Sequence, residues 1–224
     1  MQDMFQLNTE LLITWGARIA VLLICLPIHE FAHALAANKL GDPTAERMCR
    51  LTLNPFVHLD LFGSILLMFA GLGWAKPVPV NANYLRNPRR DMAIIAFAGP
   101  LSNILLATLL TAILKALWYL VAQGSISPQF AGFFSILEFM IFINLALAVL
   151  NLLPIPPLDG SKILGALLPE RQYWAMMRYE RFVMGLLILL LFTGVLGGLI
   201  RNLSMRLFAV VDFLTLPVDR FFGG

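Results

Sequence analysis

Charged side chains are scarce in this chain: Asp, Glu, Lys and Arg make up 13% of its 224 residues, about half the share of an ordinary soluble domain. So little charge cannot coat a water-facing surface. With 59% hydrophobic residues and a mean hydropathy of +0.81, the composition is that of a polytopic membrane protein. Cysteine is scarcer still. Cys25 lies inside a long apolar run and Cys49 beyond it, so a disulfide-built scaffold is excluded. The net charge of +3 is small, and the basic residues cluster beside apolar runs, where they act as topology signals rather than as a nucleic-acid surface. Met1-Gln2-Asp3 has no basic start and the apolar stretch behind it is too long for a cleavable leader, so the N-terminus is expected to belong to the mature protein.

Long apolar runs are what the sequence has in plenty. Leu11 to Ala37, Met92 to Val121, Phe130 to Leu153 and Phe182 to Ile200 each reach the roughly 17 to 20 residues that cross a bilayer as a helix. Leu203 to Val218 is shorter and carries Arg206 and Asp212, so it spans, tilts or lies in the interface. The expected architecture is all-α and polytopic. It comprises four to five transmembrane helices, a re-entrant segment and a short β-like edge segment, in a single membrane domain over 1–224. Its parts are a helix over 11–39, a re-entrant loop and edge over 56–83, helices over 91–121 and 130–168, and C-terminal helices over 180–220.

Lys39, Arg47 and Arg50 follow the first span, Arg86, Arg89 and Arg90 precede the second, and Arg171, Arg178 and Arg181 precede the last long one. The connection Gln123 to Gln129 carries no charge. The positive-inside rule puts the basic connections in the cytoplasm of a bacterial-type cell and the neutral one outside. Leu59 to Trp74 is apolar with basic residues on both sides, so it should enter and return rather than cross.

The first span contains His29-Glu30-Phe31-Ala32-His33. Residues four apart share a helix face, so two imidazoles can reach one metal ion, while Glu30 sits beside that face, placed to act as general base on a water held by the metal. A carboxylate in mid-membrane costs about 2.5 to 3.5 kcal/mol on insertion scales, which makes chance a poor account of Glu30. A catalytic zinc site has three protein ligands, so one is missing. Asp159, Asp60, His58 and Cys25 are candidates. Asp159 ranks first because Pro154, Pro156 and Pro157 break the helix before it and turn it inward at the depth of His33.

Lys76-Pro77-Val78-Pro79-Val80-Asn81 cannot be helical, and makes either an exposed edge able to pair with a strand or a stiff connector. Asn103 inside the second span is expected to hydrogen-bond another helix. Arg18 is expected to snorkel outward or to pair with an acid such as Glu138.

Taken together, His29-Glu30-Phe31-Ala32-His33 and Asn151-Leu152-Leu153-Pro154-Ile155-Pro156-Pro157-Leu158-Asp159-Gly160 resemble the site-2 protease family of intramembrane zinc metalloproteases. Gly73 to Asn81 and Ala98-Gly99-Pro100-Leu101-Ser102-Asn103 share in the resemblance, which covers roughly residues 11 to 168. It implies one zinc ion per chain held by His29, His33 and Asp159, with Glu30 activating the water. Asn151 would contact the substrate or the developing oxyanion. Lys76, Pro77, Val78, Pro79, Val80 and Asn81 would hold a transmembrane substrate as an added strand. The chain resembles a compact member with no room for PDZ or CBS domains. Two other functions use some of the same residues: a non-proteolytic membrane scaffold or chaperone of the same fold, and a metal transporter whose intramembrane His and Asp form a transit site.

Overall fold

A computed structural model of the chain describes residues 2–71 and 73–223. The first rod is helix α1 (Gln2–Ala20), a five-residue π turn (Val21–Cys25) and helix α2 (Leu26–Lys39). Pro27 has no N–H to give to Leu23, so the ladder widens just upstream and Leu26 N–H bonds the Val21 carbonyl instead. Short helix α3 (Thr44–Arg47) follows. The buried Asp42 before it ties the turn, its Oδ1 accepting from Thr44 N–H at 2.9 Å and its Oδ2 from Asn81 N–H at 2.7 Å.

Helix α4 (Leu61–Ala70) has ten residues, about 15 Å, and cannot cross a hydrocarbon core of about 30 Å. Asp60 caps its start by accepting from Gly63 N–H at 2.8 Å, and Gly71 ends it in the left-handed conformation at φ 73°. Arg18, from α1, donates to the Met68 carbonyl at the negative end of the same helix. The chain then turns back on itself. An isolated antiparallel bridge joins Leu59 to Ala75, and Lys76 N–H donates to the His58 carbonyl at 2.8 Å. A Cβ on Gly63 would lie 2.2 Å from the Trp74 carbonyl oxygen, so the returning strand closes against α4 only because that side chain is absent. The two ends of the segment therefore lie side by side, as a re-entrant loop requires. Among the described residues no β-strand is formed, and 76–81 runs as a non-helical edge without a ladder partner.

Helix α5 (Pro88–Ala122) is the longest, and helix α6 (Ala131–Leu152) packs along it. Next come α7 (Asp159–Leu167), α8 (Glu170–Arg178), α9 (Glu180–Phe192), α10 (Val195–Leu214) and α11 (Leu216–Gly223). Among the described residues, three spans are long and apolar enough to cross a membrane, Leu11–Lys39, Pro88–Ala122 and Gly132–Leu152. A fourth is made if α9 and α10 count as one. Phe182 to Ile200 reads as one run in the sequence, but the chain bends by 81° between α9 and α10, where Gly194 takes φ 74° and ends the first helix.

The core lies where α2, α5 and α6 meet, around Leu26, Ala107, Leu137, Ile141 and Leu145. Residues such as Leu12, Leu105, Leu109 and Phe133 face outward, an apolar exterior that suits lipid rather than water.

Candidate metal centre

His29 and His33 lie one turn apart on α2, both buried, with their Nε2 atoms 3.0 Å apart. Asp159 reaches them from the start of a separate helix, α7. After α6 the run from Leu153 to Pro157 cannot stay helical, since three prolines remove backbone donors, and the chain re-enters a helix at Asp159 itself. The Asp159 carboxylate is buried, with Oδ2 at 3.4 Å from His29 Nε2 and 3.0 Å from His33 Nε2. Ligands held about 2.0–2.1 Å from a tetrahedral zinc ion would be about 3.3 Å apart. The three donor atoms therefore sit at the spacing of one face of such a site.

The chemistry of the donors also fits a cation. The Ile95 carbonyl lies 2.7 Å from His33 Nδ1, and a carbonyl only accepts, so Nδ1 carries the proton and Nε2 presents its lone pair. That lone pair faces an anionic carboxylate oxygen. Two acceptors at 3.0 Å repel unless a proton or a metal ion sits between them.

Helix α5 covers the pair closely. A Cβ on Gly99 would lie 2.4 Å from His33 Nε2 and 2.5 Å from His29 Cε1, so only glycine allows this approach. One residue later Pro100 has no N–H to give to the Ala96 carbonyl, which opens the helix beside Ile95.

The sequence model of peptidase family M50 matches residues 17–127 and 120–194. The chain belongs to that family. Among relatives, the Bacillus subtilis protein named "Putative zinc metalloprotease YwhC" is 37% identical over 203 residues, covering 86% of this chain and 91% of the relative. The Mycolicibacterium smegmatis protein named "Putative zinc metalloprotease Rip2" is 36% identical over 160 residues, covering 68% of this chain and 56% of that protein. A Methanocaldococcus jannaschii protein, "Putative zinc metalloprotease MJ0611", is 33% identical over 138 residues, covering 61% of this chain and 62% of the relative. No solved structure matches. As an M50 member of the site-2 protease type, the chain is an integral membrane metalloprotease.

In this M50 chain a cavity of about 770 Å³ opens beside the donors, and Glu30, Trp74, Val78, Asn151 and Lys162 are among its walls. Glu30 is buried, and its Oε2 accepts from Val78 N–H at 3.0 Å. The 76–81 segment is fixed at further points. Arg50 Nη2 donates to the Lys76 carbonyl at 2.5 Å, and Asp42 holds Asn81. Asn151 Nδ2 donates to the Leu147 carbonyl of its own helix at 3.0 Å, which leaves the amide at the cavity edge.

The other ligand candidates do not come together with the histidines. Asp60 caps α4, and His58 bonds the Thr52 carbonyl through Nε2 at 2.7 Å. Cys25 Sγ accepts from Asn144 Nδ2 at 3.1 Å inside the core. Arg18 bonds Met68 at the end of α4, and Glu138 is exposed on α6.

Sequence reasoning missed Ile95 and Lys162, and saw Gly99 only as part of the Ala98 to Asn103 run. Lys162, one turn after Asp159 on α7, places Nζ 3.4 Å from Asp159 Oδ1, the oxygen turned away from the histidines. The i,i+3 spacing was the available signal. The Lys162 ammonium on that side favours the anionic form of the Asp159 carboxyl, the form that ligates a metal.

Proposed function

We propose that this M50 member is an intramembrane zinc endopeptidase that cuts peptide bonds in or near transmembrane segments of other membrane proteins. One zinc ion per chain would be held by His29, His33 and Asp159. The observation that carries the reading is the meeting of those three donors from two separate helices at 3.0 to 3.4 Å, beside a buried carboxylate that is not one of them.

Bound zinc supplies Lewis acidity to a water and to the scissile carbonyl. Glu30 supplies the proton handling. One of its oxygens is occupied by Val78 N–H, and the other is free to take a proton from the attacking water. As the carbonyl carbon gains that oxygen and the C–N bond breaks, Glu30 gives the proton to the leaving amine. Asn151, which lines the cavity, would donate to the carbonyl oxygen as negative charge grows there.

A substrate helix keeps its carbonyls in internal hydrogen bonds and must unwind before it can react. In extended backbone, residues two apart point their polar groups the same way, so Val78 and Val80 face one side. Val78 N–H is committed to Glu30, whereas the Val78 carbonyl and Val80 N–H carry no hydrogen bond among the described residues. These two groups can take up an unwound substrate as an added strand next to the metal. Pro77 and Pro79 have no N–H, which weakens the opposite edge as a pairing surface.

Lys39 ends α2 six residues beyond His33 and the basic connections follow, so the site opens toward the cytoplasmic side of a bacterial-type plasma membrane. The deciding experiment is hydrolysis of a purified transmembrane substrate in detergent. Glu30→Gln should lower the rate at least about 100-fold while the bound zinc is retained. Equal cleavage by both proteins, with contaminating protease excluded, removes Glu30 as the base.

A further inference from the structure

We infer that Asn103 is a positioning residue for the metal centre, its side-chain amide oxygen accepting the Nδ1 proton of His29. The inference rests on the zinc reading above. Ile95, Gly99 and Asn103 recur every four residues along one face of α5, and this face lies against His33 and His29. Each supplies something different: a carbonyl for one imidazole, an empty space over both, and an amide for the other.

Asn103 is fully buried, with Nδ2 placed 3.2 Å from His29 Nδ1 and Oδ1 buried without a partner. The two ends of a side-chain amide are told apart only by their hydrogen bonds. If Nδ2 donates to Nδ1, the imidazole proton must sit on Nε2, the atom that faces Asp159 and His33. A protonated Nε2 has no lone pair for a metal. Turned about its last torsion, the amide places Oδ1 against Nδ1, the proton moves to Nδ1, and Nε2 becomes a ligand. One amide atom lacks a partner in either orientation, so the tautomer decides. His33 already uses the same arrangement, with Ile95 in the accepting role. The carboxylate or carbonyl that usually orients a metal-bound histidine is here replaced, for His29, by an amide from a neighbouring span.

The test compares the zinc affinity of the full chain in detergent, by competition with a chromophoric chelator, for the unaltered protein, N103D and N103L, with the melting temperature of each apo form as the folding check. A carboxylate can only accept, so N103D should bind zinc within about threefold of the unaltered chain or more tightly. Leucine has similar bulk and no acceptor, so N103L should bind about 10- to 100-fold more weakly. Unchanged affinity in folded N103L overturns the inference. So does N103D as weak as N103L, since that result would mean the amide donates. If N103L does not fold, N103D decides alone: retained affinity supports the inference, and a tenfold loss overturns it. An unaltered chain that binds no zinc overturns the metal reading and this inference together, whereas zinc held equally by the unaltered chain and N103L overturns this inference only.

Discussion

The two walls of the cavity are built in different ways. On one side α2 and α5 place His29, His33, Ile95 and Gly99 from the middle of long helices, where each side chain is fixed by the turns above and below it. On the other, 76–81 has no regular structure and is held at Lys76 by Arg50 and His58, at Val78 by Glu30, and at Asn81 by Asp42. A metal centre requires donors placed to within a fraction of an ångström, which helix packing provides. A substrate edge instead needs backbone groups free to pair, and regular structure would use them up.

If the walls are separable in this way, damage to the helical wall should remove the metal, and damage to the irregular wall should spare it. The largest effect is expected from Gly99→Ala. The added methyl would lie 2.4 Å from His33 Nε2, so either α5 moves away or the imidazoles turn. Zinc content by elemental analysis should fall below about a tenth of that in the unaltered chain, with proteolysis lost in proportion. Full zinc content in folded Gly99→Ala would break the comparison at its strongest point.

Arg50→Leu tests the other wall. Losing the bond to the Lys76 carbonyl should loosen the edge and raise KM about tenfold, with zinc content unchanged. A variant that lost zinc as well would show that the two walls are mechanically coupled.

The smallest effect is expected from Asp60→Ala, which removes the cap of α4. It should cost about 1 kcal/mol, read as a lower melting temperature in detergent, and leave zinc content unchanged. A loss of zinc here would mean that the re-entrant segment supports the metal centre directly.

The same division explains what could be read from the sequence. The His29 and His33 pair was legible because four-residue spacing is a local property of a helix. Asp159 was legible because three prolines in four residues announce a broken helix, and Leu59 to Trp74 because its basic flanks argued against a crossing. Ile95 could not be found, since its contribution is a carbonyl, which every residue has. Asn103 was legible as a side chain that hydrogen-bonds another helix, and Gly99 as part of the Ala98 to Asn103 run, but which imidazole each meets depends on the register in which α5 docks on α2, a tertiary fact that no window of sequence contains. The bend at Gly194 was hidden in an apolar run, where a single glycine reads equally well as a close helix contact.

The π turn at Val21–Cys25 sets the rotational phase between the two halves of the first span. Each extra residue in a helical ladder advances everything beyond it by about 100°. The N-terminal half of the span, with Arg18 aimed at Met68, is therefore rotated relative to the C-terminal half that bears His29 and His33. One polypeptide rod in this way addresses α4 in one direction and the metal donors in another.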